Sequence, residues 1–260
     1  MINYPNIDPV ALDLGIVKIH WYGITYVVGI FIAWLLLRYR GKQEYWQFSD
    51  EQVSDLIFYA MLGIIIGGRL GSVLFYNFSY YLQHPIEILY IQKGGMSFHG
   101  GLIGVLIAVW FFARKIKSPF FKITDFIAPV VPVGVGCGRI GNFINGELWG
   151  GPSDLPWAMI FPDPLAGGVP RHPSQLYEAI LEGLVLFIIL WWFSKSPRPL
   201  KAISGLFLTG YGFFRFMVEF VRVPDQHIGY LAFDWLTMGM VLSLPMIVFG
   251  LLLLMLAYKK

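Results

Sequence analysis

Two groups of polar residues stand in otherwise apolar sequence, and their types suit the handling of an anion. The first lies in Gly138-Arg139-Ile140-Gly141-Asn142-Phe143-Ile144-Asn145-Gly146-Glu147-Leu148-Trp149-Gly150, at the end of the apolar segment Ile123 to Val135. The second is Tyr211, Arg215, Glu219 and Arg222, whose i, i+4, i+8, i+11 spacing puts them on one helical face. An arginine at mid-bilayer costs about 2.5–3.5 kcal/mol on insertion scales, so each one needs a partner or a task. Guanidinium groups grip phosphate and carboxylate with paired hydrogen bonds. The leading reading is a site that handles a charged substrate inside a membrane.

The elements that must carry these residues are membrane helices. Of 260 residues, 57% are hydrophobic and 13% charged, against about 25% charged in soluble domains. Seven apolar runs are long enough to span: about His20–Leu37, 53–76, 96–113, 123–145, 174–193, 203–221 and 235–258. The expected fold is an all-α integral membrane protein with seven transmembrane helices in a single polytopic domain, residues 1–260. Arg38, Arg40 and Lys42 follow the first run, and Arg114, Lys115, Lys117 and Lys122 the third. Lys195, Arg198 and Lys201 follow the fifth, and Lys259 and Lys260 the seventh. The other side carries only Lys18, Lys93, Arg171 and Arg222. The positive-inside rule therefore places the N-terminus outside and the C-terminus in the cytoplasm. The first run has its positive charges after it and no small-residue cleavage site, so it is not expected to be a cleaved signal. A net charge of +3 concentrated in inner loops favours anionic lipid and argues against nucleic acid.

With that orientation, Tyr22, Arg69, His99, Arg139, Asn142, Glu147, Arg215 and Glu219 come from at least five helices to one depth near the outer leaflet. On spacing alone, Arg215 and Glu219 are equally an intrahelical ion pair that makes their helix tolerable in lipid. The three cations within spans, Arg69, Arg139 and Arg215, exceed what Glu147 and Glu219 neutralise, and a bound anion would complete the balance. Ser174 is placed to cap the fifth span, with Glu178 serving its dipole, and Asp125 reads as an N-terminal helix charge. The outer connection Leu148–Pro173 reads equally as a lid or an ordinary solvated loop. The connection Asn77–Gly95 suggests a short interfacial helix near Pro85–Tyr90, with Tyr76, Tyr80, Tyr81 and Tyr90 as an aromatic belt.

Other signals carry less. Gly136–Gly141 matches G-x-G-x-x-G, but without a strand before it the glycines are expected to permit close helix packing or a local break. His20, His99, His172 and His227 lack metal-ligand spacing, so neither a metal nor another cofactor is expected. Cys137, the only cysteine, reads as a small packing residue and excludes an internal disulfide.

The Gly138–Gly150 run resembles the signature of the bacterial prolipoprotein diacylglyceryl transferases. The similarity continues in His20-Trp21-Tyr22-Gly23, Gly67-Gly68-Arg69 and Gly94-Gly95-Met96-Ser97-Phe98-His99-Gly100-Gly101. It extends through Arg171-His172-Pro173-Ser174-Gln175-Leu176-Tyr177-Glu178 and Gly210-Tyr211-Gly212-Phe213-Phe214-Arg215. It covers nearly the whole chain, in order; the loop after Trp149 looks shorter than in some members. The resemblance implies seven membrane helices in the bacterial cytoplasmic (inner) membrane and a site toward the outer leaflet. It implies phosphatidylglycerol as donor and, as acceptor, the lipobox cysteine of prolipoprotein signal peptides. The expected products are a thioether and glycerol 1-phosphate, in the first step of lipoprotein maturation.

For that reaction His99 is the expected base, and Arg139 and Arg215 the groups that hold the phosphate as it leaves. Asn142, Glu147 and Tyr22 are expected to orient the glycerol headgroup, Glu219 to orient Arg215, and Arg69 to add to headgroup binding. Two competing readings stay open: an anion or phospholipid transporter using the same arginines, and a scaffold whose ion pairs are structural. A transporter of the common kind has two related halves with broken helices, and no second copy of the Arg139 motif is present.

Overall fold

A computed structural model describes residues 2–15, 17–91, 94–224 and 229–259. Lys93, His227 and Lys260, used in the charge and histidine readings, lie outside the described residues. The chain forms two compact units, one of residues 1–36 with 125–260, the other of residues 37–124. In chain order the elements are β1 (Ile2–Asn3), β2 (Val10–Asp13), β3 (Lys18–His20), α1 (Trp21–Gly41), α2 (Asp50–Phe75), α3 (Phe78–Gln83), α4 (Phe98–Lys115) and α5 (Phe120–Ile127). They continue as α6 (Val131–Ile144), β4 (Met159–Ile160), α7 (Ser174–Glu178), α8 (Leu186–Phe193), α9 (Ala202–Glu219) and α10 (Met238–Tyr258).

Among the described residues, six stretches are long and apolar enough to cross a membrane: Trp21–Gly41, Asp50–Phe75, Phe98–Lys115, Phe120–Ile144, Ser174–Phe193 and Met238–Tyr258. The remaining expected run forms α9, an 18-residue helix with Arg215 and Glu219 in its last two turns, and it is not one of the six. The fold is mostly helical, with short strands that hydropathy did not anticipate. β2 and β3 form an antiparallel hairpin ahead of α1, and β1 pairs in parallel with β4.

In the 37–124 unit, α2 and α4 meet through glycine faces. A methyl group at Gly63 would lie 2.6 Å from the Gly104 carbonyl oxygen, and one at Gly71 would lie 2.6 Å from the Gly100 Cα. The backbones therefore touch where side chains would hold them apart, as small-residue stripes allow in lipid. Both helices are capped from sequence: Ser49 and Gln52 form a capping box on α2, and the Ser97 hydroxyl accepts from the Gly100 N–H. The short helix expected near Pro85–Tyr90 is a 3₁₀ turn at Pro85–Leu89, and α3, which the sequence does not announce, precedes it.

In the other unit the fourth span is interrupted. Pro129 and Pro132 lack amide protons, and a 3₁₀ turn at Ala128–Val130 separates α5 from α6 there. The fifth span contains a π-helical stretch, Ala179–Val185, between α7 and α8. α9 and α10 pack through Gly205, Gly212 and Gly250, where a methyl on Gly205 would come 2.8 Å from the Gly250 carbonyl. Asp125 does not serve its own helix. Its carboxylate accepts from the Lys201 and Ser204 amides (2.7 and 2.8 Å) and from the Ser204 hydroxyl, which caps α9.

The connection after α6 is neither a loose loop nor a free flap. Trp149, Phe161 and Ala166 form a small core with Tyr4, Phe143, Met159 and Val223 packed on it. The Tyr4 hydroxyl donates to the Phe143 carbonyl (2.5 Å), beside the Ile144 carbonyl at 2.8 Å. Burial pushes the Tyr4 phenol pKa up, which keeps it a donor to these C-terminal carbonyls of α6.

Gly104→Val places a branched side chain where the α2 backbone lies, and overpacking of this kind costs about 1–3 kcal/mol or more. The purified variant is expected to melt several degrees lower or fail to accumulate; an unchanged melting temperature would contradict the glycine contact.

Candidate functional site

The arginine of the signature sits on α6, and two carboxylates from the fifth span meet it. Arg139 Nε lies 3.3 Å from one oxygen of Glu178, and Arg139 Nη2 lies 3.8 Å from Glu182. Arg215, from α9, pairs with the other Glu178 oxygen and with Glu219, and lies 4.0 Å from Glu182. Glu219 also faces Arg222 at 3.3 Å and accepts from the Thr237 hydroxyl. Glu178 thus bridges two guanidinium groups with its two oxygens. A continuous lattice runs from α6 through α7 and α9 to Thr237, the N-cap of α10.

This lattice corrects the charge argument made from sequence. Glu178 does not serve the dipole of its own helix: it is fully buried and ion-paired. Nor does Ser174 cap α7; its hydroxyl donates to the Leu148 carbonyl, and no side chain caps that helix. Arg139, Arg215 and Arg222 are matched by Glu178, Glu182 and Glu219, so no anion is required to balance the folded site. Glu182 lies deeper in the same apolar run as Glu178, where hydropathy alone gives it no role. The signal was there: two acids four apart inside Ser174–Phe193 cannot both be solvated, and a buried acid requires a partner. Thr237 and Gly239 gave no comparable signal. A Cβ on Gly239 would lie 2.6 and 2.7 Å from the Glu219 oxygens, so the α10 backbone approaches that carboxylate as a side chain would not permit.

Local geometry explains why the arginines are held. Gly136 packs on Gly183 of the π-helical stretch, where a methyl would lie 3.3 Å from the opposite Cα. Gly141 and Gly138 receive Tyr22, Thr25 and Tyr26 of α1, with a methyl on Gly141 only 2.6 Å from the Thr25 hydroxyl. The glycines of the apparent dinucleotide motif are therefore close-packing residues. Cys137 joins them, with its Sγ 3.4 Å from where a Cβ of Gly29 would stand.

A second group gathers at the C-terminal end of α6. Asn142 and Asn145 donate to Glu147 at 2.8 and 3.3 Å, and Tyr22 interacts with Asn142, Glu147 and the Tyr26 hydroxyl. The turn that presents Glu147 includes Leu148 at φ 59°, a left-handed conformation costly for a branched side chain. Gln175 donates to the Glu147 carbonyl and Ser174 to the Leu148 carbonyl, which holds the turn in that shape.

Arg69 and His99 belong to the 37–124 unit. Arg69 donates to the carbonyls of Ile88 (2.8 Å), Glu87 (2.5 Å), Gly94 (2.6 Å) and Gly95 (3.3 Å). Four of its five donors thus hold the connection between α3 and α4, which leaves little for the headgroup binding expected of it. His99 is exposed in the first turn of α4, beside Phe98. Among the described residues no cluster of histidine, cysteine and acidic residues has the form of a metal site. His172 lies 3.2 Å from the Tyr177 hydroxyl, and burial holds its pKa below the usual range.

Arg215→Ala leaves Glu178, Glu182 and Glu219 short of their shared cation. Breaking a buried pair costs about 3–5 kcal/mol, so this variant is expected to melt well below the parent, with Arg215→Lys between them. Equal melting temperatures for all three would show that the lattice adds nothing to stability.

The family described as prolipoprotein diacylglyceryl transferase matches residues 9–256. A phosphatidylglycerol–prolipoprotein diacylglyceryl transferase of Methylococcus capsulatus is 61% identical over 261 residues, covering all of this chain and 99% of the relative. Proteins of the same name from Pseudomonas paraeruginosa and Pseudomonas fluorescens are 56% and 57% identical, each covering all of this chain and 97% of the relative.

Proposed function

The chain belongs to the prolipoprotein diacylglyceryl transferase family, and on that premise we propose that it transfers the diacylglyceryl group of phosphatidylglycerol to the lipobox cysteine thiol of prolipoproteins. One observation carries the assignment of the site: Glu178 places the guanidinium groups of Arg139 and Arg215 side by side, one on each of its oxygens. Their side chains remain 19% and 14% exposed while Glu178 is fully buried. A phosphate approaching from the open side meets two oriented cations. The transporter reading is not favoured by this family membership.

In the proposed reaction the thiol loses its proton and the thiolate attacks the glycerol carbon that bears the phosphate. A carbon–sulfur bond forms, and the carbon–oxygen bond breaks with its electron pair passing to the phosphate. Glycerol 1-phosphate leaves with one more negative charge than the phosphodiester carried. Arg139 and Arg215 stabilise that charge where it grows, in a site of low dielectric. A free thiol has a pKa near 8.5, so a base raises the small thiolate fraction at neutral pH, and His99 is proposed for that role. Asn142, Glu147 and Tyr22 orient the glycerol headgroup, Glu219 holds Arg215, and Arg69 acts indirectly through the connection it pins.

The test is to incubate purified protein with phosphatidylglycerol and a synthetic lipobox peptide, then weigh the peptide. A diacylglyceryl increment is expected, and none when serine replaces the peptide cysteine. Losing one charge-stabilising donor group typically costs about 10²–10³ in rate, so Arg139→Lys should slow turnover by that order while the protein stays folded. His99→Gln should depress the rate most at low pH; a normal rate and an unchanged pH profile would remove the base role.

For location, we propose a multi-pass protein of the bacterial cytoplasmic membrane with α9 as a seventh span, its N-terminus outside and its site toward the outer leaflet. Support comes from the basic residues that follow the first, third and fifth runs. A fluorescent protein fused to the C-terminus should glow, and alkaline phosphatase fused there should be inactive. The reverse pair of results would invert the topology.

A further inference from the structure

We propose, on the reading of the site just given, that Glu182 takes up a proton when the anionic headgroup settles on Arg139 and Arg215, so that lipid and proton bind together. The charges of the lattice are already matched before any substrate arrives: Arg139, Arg215 and Arg222 against Glu178, Glu182 and Glu219. A phosphodiester brought to the arginine pair adds one negative charge in a place of low dielectric. Either a carboxylate leaves or one becomes neutral.

The three acids are not equally held. Glu178 has Arg215 on one oxygen and Arg139 at 3.3 Å from the other, the latter an ion-pair contact without a hydrogen bond. Glu219 has Arg215, Arg222 and the Thr237 hydroxyl. Glu182 is fully buried, neither of its oxygens has a hydrogen-bond partner among the described residues, and its guanidinium neighbours stand at 3.8 and 4.0 Å. It also lies within the influence of Glu178. An ionised carboxylate without hydrogen bonds is the costliest of the three to keep charged once its cations turn to another anion. Neutralising it removes the excess charge at the least loss of hydrogen bonding.

The groups facing Glu182 are Arg139 from α6, Glu178 from α7, Tyr211 and Arg215 from α9, and Arg222 just beyond α9. Arginine and tyrosine do not change charge near neutral pH. The one carboxylate among these groups, Glu178, has closer ion pairs than Glu182. The phosphodiester does not titrate there either. The proton is therefore assigned to Glu182, which acts on the lipid through the two arginines as a positioning residue.

The experiment is calorimetric binding of dihexanoyl phosphatidylglycerol to the full-length protein in detergent, in two buffers of different protonation enthalpy. The parent should take up protons as it binds the lipid, and on the alkaline side its affinity should fall, by up to about tenfold per pH unit. Glu182→Gln, uncharged and of the same shape, should take up none and bind with little pH dependence. Glu182→Met serves the same end if the glutamine variant does not accumulate. Binding by the parent without proton uptake, or uptake undiminished in either variant, would overturn the inference and leave the site reading intact. Unchanged affinity in Arg215→Lys would instead remove the arginine pair as the headgroup site, and the reading beneath the inference with it.

Discussion

Everything in the 1–36 and 125–260 unit answers to the cost of keeping guanidinium groups away from water. Arg139 and Arg215 lie on helices that are otherwise apolar, and each must be compensated by carboxylates that are equally unwelcome there. The solution draws one acid pair from the fifth span and another acid from α9 itself. It then needs the helices closer together than ordinary side chains permit. Hence Gly136 against Gly183, Gly141 against α1, and Gly239 against the Glu219 carboxylate. Ion pairing dictates helix spacing, and helix spacing dictates the glycines.

Much of this was legible in the residues. The apolar runs point to the mostly helical fold with membrane-length helices, and Arg139 of α6 and Arg215 of α9 share the Glu178 carboxylate. The reading of the Gly136–Gly141 glycines as packing residues agrees with their contacts. Hydropathy could not tell why α9 is less apolar than the six membrane-length stretches, which is that the helix carries its own ion pair. Nor could it see the breaks at Ala128–Val130 and Ala179–Val185, which depend on missing amide donors and local register.

The errors share a cause. Sequence offers only local neighbours, which assign Glu178, Ser174 and Asp125 each to the helix on which it stands. In the fold all three act at a distance: Glu178 on α6 and α9, Ser174 on the turn after α6, Asp125 on the start of α9. Arg69 repeats the lesson, because its carbonyl partners are backbone atoms and backbone acceptors leave no mark in the sequence.

The contacts of Tyr4 bear on how such a chain is made. Its hydroxyl reaches the end of α6 across 139 residues of sequence, and β1 closes on β4 farther along still. Contacts between such distant residues form late, because the intervening chain must be ordered first. The segment that carries Tyr4 is thus among the last to find its place. Until residues 143–161 follow it, the carbonyls at the end of α6 lack the phenol that will satisfy them. The turn bearing Glu147 then stands at the open end of a helix still awaiting that partner, so the end of α6 is completed by a residue distant in sequence and not by its own neighbours.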